Sequence, residues 1–343
     1  MPETGEPDSA PLLRLALGFG GFKTMAAALD LGLFQLLAER PDQTREEIAV
    51  ELELAERPAD VLLSTCVSLE LLLKNGELYR CSDIAAEFLT AGKPRYSGGL
   101  IRFFDRRSYP EWQHVGTALR ENRPTTMDTE HRNGRRTVED EQRIALFWEA
   151  MRAMSGSVGR VLTELVDLAE HHKVLDLGGG SGSCAIELCR GHPQLSATVF
   201  ELPHICPVAA NQIRAAGLTG TIDTLSGDFH ADPGLPTGYD VMLLSNILHD
   251  WDEGRDRELL RKCLAVLPSG GLVIISEMLL NPERTGPPEA MLLSMQRLIE
   301  TEQGRNYSES EYAEWLADTG FTDIEVIRFT ALGANGAVLG RVP

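Results

Sequence analysis

The stretch that most narrows the choice of fold is Val174-Leu175-Asp176-Leu177-Gly178-Gly179-Gly180-Ser181-Gly182. An apolar run passes into a glycine-rich turn and then into a helical segment, Cys184 to Cys189. Glycine lets backbone N–H groups approach a ligand with no Cβ in the way. Further apolar, β-rich runs follow at Ala197–Phe200, Val241–Leu244, Leu272–Ile275, Ile324–Ile327 and Ala337–Leu339, the earlier ones separated by helical segments. Such alternation predicts an α/β fold with a mostly parallel, doubly wound sheet covered on both faces. Ligands of such sheets sit beyond the carboxyl ends of the strands.

The polar motifs fall at those ends. Gly178, Gly180 and Gly182 suit the nucleoside and amino-acid end of S-adenosylmethionine, yet Gly180-x-Gly182-x-x-Ala185 also meets a dinucleotide pattern loosely. Glu201 ends the next run and can accept from both ribose hydroxyls, which serves either cofactor. In Gly227-Asp228-Phe229, after a short strand at Ile222–Leu225, Asp228 can accept from an adenine amine and Phe229 can pack on the ring; a plain turn has the same signature. His249 lies just past a strand in Leu244-Ser245-Asn246-Ile247-Leu248-His249-Asp250-Trp251. A histidine is the natural general base for a phenol, with Asp250 or a carboxylate from elsewhere to orient it. Glu277 ends the strand Leu272–Ser276 on the same face and can hold the second ring nitrogen.

The front third reads differently. Residues 12–38 are apolar at helical spacing, Thr44-Arg45-Glu46-Glu47 is a capping box, and Pro58 opens an apolar helix through Leu72. Asn75-Gly76 between Leu73 and Leu78-Tyr79 signals a hairpin. Three helices and a hairpin make a winged-helix module, mostly helical. Glu51 to Asp60, where a DNA reader would be basic, carries Glu51, Glu53, Glu56 and Asp60 against Arg57. Over the chain, 32 basic residues face 51 acidic ones, a formal charge of −19, which disfavours nucleic acid as a partner. The module is therefore expected to dimerise rather than read DNA. Arg106-Arg107 and Arg135-Arg136 are expected on solvated faces.

No run of about 18 apolar residues predicts a membrane span. Met1 to Ala10 is acidic and Pro-rich, without the basic and apolar regions of a signal peptide, so a cytoplasmic protein is expected. The six scattered cysteines fit buried thiols in a reducing compartment, and no ligand cluster suggests a metal.

Together these residues resemble the plant-type (caffeic acid and hydroxyindole type) S-adenosylmethionine-dependent O-methyltransferases, whose bacterial members decorate aromatic antibiotics and pigments. The resemblance runs from about residue 15 to the end. It rests on Asp176 to Gly182, Glu201-Leu202-Pro203, Gly227 to Phe229, Leu248 to Trp251, Glu277, and an upstream pattern at Phe147, Met151 and Ser155. It implies a Rossmann-like methyltransferase domain at 156–343, a winged-helix dimerisation domain at 1–100, a helical connector at 101–155 that contributes to the substrate pocket, and a homodimer. It implies S-adenosylmethionine held by Ser155, Asp176, Gly178, Gly180, Gly182, Glu201, Leu202, Asp228, Phe229 and Ser245. His249 would take the proton of an aromatic hydroxyl, with Glu277 and Asp250 beside it.

The chain also departs from the family. The second acid that often braces the histidine falls at Asn306, and a lysine common near the cofactor falls at Ser245. Glu309 and Glu311 do not replace that acid, because Ser308-x-x-Glu311 reads as a capping box. The acceptor pocket is expected from Phe104, Trp112, Phe147, Trp148, Met151, Met291, Met295 and Arg297, with Arg297 either a surface residue or an anchor for a substrate carboxylate. The same residues allow C- or N-methylation, since a phenolate is also nucleophilic at its ortho carbon. An NAD-dependent oxidoreductase and a non-catalytic regulator are the remaining readings. Asp176 and the winged helix oppose the first, and the acidity opposes the second.

Overall fold

The computed structural model describes residues 8–126 and 138–343, with side chains described from residue 142 onward in the second stretch. The expectations for the first residues of the chain and for Arg135-Arg136 lie outside the described residues. The chain forms two compact units that divide between Arg106 and Arg107.

In the N-terminal unit, α1 (Ala10–Ala16), α2 (Gly18–Asp30) and α3 (Leu33–Glu39) lead to a two-residue strand β1 (Gln43–Thr44). Helices α4 (Arg45–Glu51) and α5 (Glu56–Ser68) follow, then the hairpin β2 (Leu72–Asn75) and β3 (Leu78–Cys81), then α6 (Asp83–Phe88) and α7 (Gly98–Phe103). Thr44 forms the reciprocal capping box with Glu47 that its spacing predicts. Gly76 turns the hairpin at φ +60°, and β1, β3 and β2 pair antiparallel in that order. Leu33, Phe34, Leu37, Ile48, Leu63, Leu72 and Tyr79 fill one core. Leu12, Leu13, Leu15, Leu17 and Phe19, in contrast, are each more than half exposed.

The second unit begins with α8 (Tyr109–Glu111), α9 (Val115–Glu121) and the long α10 (Val138–Leu165), which runs unbroken through position 155. Then strands and helices alternate: β4 (Lys173–Leu177), α11 (Ser183–Gly191), β5 (Ser196–Glu201), α12 (Cys206–Ala215), β6 (Ile222–Ser226), β7 (Val241–Ser245), α13 (Glu253–Val266) and β8 (Leu272–Glu277). Helices α14 (Pro288–Glu300) and α15 (Glu309–Thr319) precede β9 (Thr322–Arg328) and β10 (Gly336–Arg341). The seven strands lie in the order β6-β5-β4-β7-β8-β10-β9, parallel except for β10, which is antiparallel to both neighbours.

The central strands β4, β7 and β8 are buried on both faces, which is why they read as continuous apolar runs. Val174, Val241, Leu243, Leu272 and Ile274 enter one core layer, and Leu175, Met242, Leu244, Val273 and Ile275 enter the other. From β4 the chain winds one way through β5 and β6 and the other way through β7 and β8. The winding therefore reverses between β4 and β7, the place where an open α/β sheet leaves a crevice at its strand ends. Among the described residues no single helix is long and apolar enough to cross a membrane.

Candidate active site

The glycine turn leaves β4 at that crevice. Gly178, Gly180 and Gly182 have φ of +66°, +56° and +73°, a backbone that side-chain-bearing residues adopt at a cost. The turn is also crowded. A Cβ on Gly178 would lie 2.5 Å from Ile247 Cδ1, and one on Gly179 would strike the Asp176 carboxylate. Trp148, expected in the acceptor pocket, packs against Gly180 from α10 and meets Phe147 edge to face at 5.0 Å.

Around this turn lie polar groups without partners. Asp176 is 1% exposed and neither carboxylate oxygen has a hydrogen-bond partner. Burial, together with Glu201, pushes its pKa up to about 7; the nearby Ala185 amide, too poorly placed to count as a hydrogen bond, offsets this only in part. Ser245 Oγ is likewise buried and unpartnered at the end of β7. Glu201 accepts from the Leu202 amide at 2.6 Å, and burial raises its pKa. Asp228 accepts from the amides of His230 (2.9 Å) and Ala231 (3.0 Å), which draw its pKa down despite some burial.

Sequence reasoning missed the residue that fixes the Asp228 loop. Lys262, on α13, donates from Nζ to the carbonyls of Phe229, His230 and Asp232 at 3.0, 3.1 and 2.8 Å. Its partners are some thirty residues away, so no local spacing marks it. Ser155 and Met151 are half-buried on α10, and Leu202 is 38% exposed.

On the other side of the crevice, Asn246 turns the chain out of β7 at φ +57°. An asparagine tolerates that conformation better than most residues. The turn aims the amides of Ile247 and Leu248 at Glu277 Oε1, at 2.9 and 3.0 Å. The other carboxylate oxygen, Oε2, meets His249 Nδ1 at 2.6 Å. A carboxylate only accepts, so Nδ1 carries the proton and the lone pair of the neutral ring lies on Nε2. Burial opposes the charged ring, but Glu277 and then Asp250 outweigh it and raise the His249 pKa above its ordinary value.

Asp250 departs from its expected place. Its Oδ1 stands 3.6 Å from His249 Nε2, beyond hydrogen-bonding range, and accepts from Arg297 Nη1 at 2.9 Å. Among the described residues, Glu277 is the one that hydrogen-bonds the ring. Arg297 is no exposed surface residue: its side chain is 20% exposed and bound to both Asp250 and Glu300. Gln296 donates to Glu300 at 2.8 Å and accepts from Trp112 Nε1. This side-chain chain along α14 had no motif to announce it. Met295 is half-buried and Met291 is 37% exposed on the same helix, and Phe104 belongs to the N-terminal unit. Asn306 is not among the hydrogen-bond partners of His249 in the described residues. It is 2% exposed and donates from Nδ2 to the Ala290 carbonyl at 2.9 Å. Glu311 caps α15 with Ser308, and Glu309 binds Arg328.

Family models match both units. Residues 13–91 match the O-methyltransferase dimerisation domain and residues 112–322 the O-methyltransferase domain. The chain belongs to the plant-type S-adenosylmethionine-dependent O-methyltransferase family. It is 44% identical, over 96% of its length and 94% of the relative's, to a 3-hydroxy-5-methyl-1-naphthoate 3-O-methyltransferase of Streptomyces sahachiroi. It is 32% identical to an L-tyrosine C(3)-methyltransferase of Streptomyces lavendulae, over 93% of this chain and 89% of the relative. Human N-acetylserotonin methyltransferase, solved with S-adenosylmethionine, superposes with a TM-score of 0.83 at 28% identity, covering 100% of this chain and 99% of that one.

This methyltransferase uses S-adenosylmethionine, and its residues fit that cofactor. A crevice of positive-φ glycines, with a buried carboxylate and a buried hydroxyl still lacking partners, suits a ligand that brings ammonium, carboxylate, ribose hydroxyl and adenine amino groups. Among the described residues no group of His, Cys, Asp and Glu could hold a metal ion.

Proposed function

We propose that this methyltransferase methylates a hydroxyl on a small aromatic natural product, with His249 as general base. The observation that carries the reading is the 2.6 Å bond between His249 Nδ1 and Glu277, made at the strand end that adjoins the glycine turn. It leaves Nε2 with a lone pair, the form needed to take a phenolic proton. When bound, the cofactor supplies an electrophilic methyl on a sulfonium, whose departure leaves a neutral thioether. The O–H proton passes to Nε2, the O–C bond forms and the C–S bond breaks. Glu277 holds the ring in the required tautomer and stabilises the imidazolium.

Asp176, Gly178, Gly180, Gly182, Glu201, Leu202, Asp228, Phe229, Ser155 and Ser245 are the proposed cofactor contacts. Trp112, Phe147, Trp148, Met151, Met291 and Met295 are proposed to line the acceptor side, where an aromatic ring gains from apolar and sulfur contacts. The naphthoate specificity of one relative supports a bicyclic or larger phenol, and the dimerisation-domain match supports a homodimer. The exposed Leu12, Leu13, Leu15, Leu17 and Phe19 are proposed to be covered by the second copy.

A mass-spectrometric assay tests this. The protein is mixed with S-adenosylmethionine and a panel of phenols and naphthols, with and without a carboxylate, and His249→Ala runs in parallel. Addition of one methyl that depends on His249, assigned to oxygen by fragmentation, is the expected result. Assignment to carbon would move the reading toward the chemistry named for the tyrosine C(3)-methyltransferase. Methylation that survives His249→Ala would remove the histidine from the mechanism.

A further inference from the structure

We propose that Arg297 is a positioning residue for the base: it holds the Asp250 carboxylate away from the reacting nitrogen of His249, keeping Nε2 open to the acceptor. This rests on His249 being the base. The geometry is a competition for one oxygen. Asp250 Oδ1 accepts from Arg297 Nη1 at 2.9 Å and stands 3.6 Å from His249 Nε2. A movement of less than 1 Å would convert that separation into a hydrogen bond, since N–H···O pairs close at roughly 2.7–3.2 Å.

The guanidinium is itself fixed from its other side. Nη2 binds Glu300, one turn along α14, and Gln296 Nε2 donates to Glu300 at 2.8 Å. The planar fork thus spans two carboxylates, a task to which arginine is suited and lysine less so. The side chains of His249, Arg297 and Glu300 are 14%, 20% and 14% exposed, so solvent screens these charges less than on an open surface.

The full charge environment of the ring supports the role. Glu277 from β8 faces Nδ1, Asp250 from the turn after β7 faces Nε2, and Arg297 from α14 lies behind Asp250. Asp256 on α13 and Tyr312 on α15 feel the charge of Glu277; both are buried and unpartnered, and their pKa values are raised, Asp256 to about 9. Glu300 reaches the ring only through Arg297. Released from Arg297, Asp250 would cap the second nitrogen, and the ring would hold its proton between two carboxylates. A base in that state is less able to accept a proton from a hydroxyl.

The experiment is an NMR titration of the His249 imidazole in the full-length protein without acceptor, assigned by its loss in His249→Gln. Arg297→Met is expected to raise the ring's pKa by about one unit, a tenfold tighter hold on the proton. Asp250→Asn is expected to lower it. The decisive result is non-additivity: in the Asp250→Asn background, Arg297→Met should move the pKa by no more than a few tenths. Equal shifts in both backgrounds would mean that Arg297 acts only as a distant charge, and the proposal would fail.

Should Arg297→Met fail to fold, Arg297→Lys keeps the charge but loses the fork. It is expected to raise the pKa by a smaller amount, again only when Asp250 is present; no shift would overturn the role. Turnover against pH with the acceptor from the phenol panel separates the two readings. An acid limb that moves in step with the NMR pKa supports both. Activity that survives His249→Ala overturns the base, and with it any role for Arg297 in catalysis. Loss of activity in His249→Ala with an unmoved limb in Arg297→Lys overturns Arg297 alone.

Discussion

The two sides of the strand-end crevice are built by different means. The β4 side is backbone: three positive-φ glycines, a turn too crowded for a Cβ, and a buried carboxylate left without partners. The β7, β8 and α14 side is paired side chains: His249 with Glu277, Asp250 with Arg297, Arg297 with Glu300. The first is a rigid cradle with spare hydrogen-bonding capacity, suited to one invariant ligand. The second has its charges already matched inside the protein.

That contrast predicts opposite mutational behaviour. On the paired side, His249→Ala is expected to reduce turnover by about 10²- to 10⁴-fold, the usual worth of a positioned base, with S-adenosylhomocysteine binding unchanged by calorimetry. On the backbone side the pattern should invert. Gly178→Ala puts a β-carbon 2.5 Å from Ile247 Cδ1 on a backbone with φ +66°. Cofactor affinity should drop by about tenfold or more, in keeping with strain of ~1–3 kcal/mol, whereas turnover at saturating cofactor should change much less. If calorimetry found both variants equally impaired in cofactor binding, the division between the two sides would collapse.

The same contrast decides what the sequence made legible. The strands, the capping boxes at Thr44 and Ser308, the hairpin at Gly76 and the glycine turn are all local, so spacing within a few residues reveals them. His249 and Glu277 were legible because one closely follows and the other ends a strand, and both strands are inner neighbours. Lys262 was not legible, because its three carbonyl partners lie about thirty residues earlier on another element. Asp250 and Arg297 were named, but their pairing with each other was not. A spacing pattern places a residue on a face, and it says nothing of which of two charged neighbours wins a shared oxygen. Arg297, 47 residues from Asp250, could be paired with it only through the fold.

Asn306 offers a sharper break between the sides. If the paired side merely lacked one acid, Asn306→Asp should restore a second brace and raise turnover. The structure predicts otherwise. Nδ2 donates to the buried Ala290 carbonyl, and an aspartate at that position has no proton to give when ionised. The variant should lose about 1–3 kcal/mol of stability, read by urea denaturation, with no gain in turnover. A gain would mean that the segment around Asn306 can move toward His249.

The smallest effect is the pH dependence of folding in the ligand-free protein, and it too separates the sides. The His249 pKa is raised, so its pair with Glu277 stabilises the fold fully below the ordinary histidine value and loses that contribution as pH rises through the folded value. Glu277→Gln should therefore cost more stability at pH 6 than at pH 9. Asp176 is raised to about 7, so its burial costs nothing below the ordinary aspartate value, an increasing amount from there up to about pH 7, and a constant amount above it. Asp176→Asn should consequently raise the melting temperature by a smaller amount at pH 5 than at pH 8, by about 2–4 °C for each kcal/mol relieved. Opposite signs for the two variants would fit a paired charge on one side of the crevice and an unpaired one on the other. A fall in melting temperature for Asp176→Asn at pH 8 would instead mean that the carboxylate is already compensated, and that the two sides are built alike.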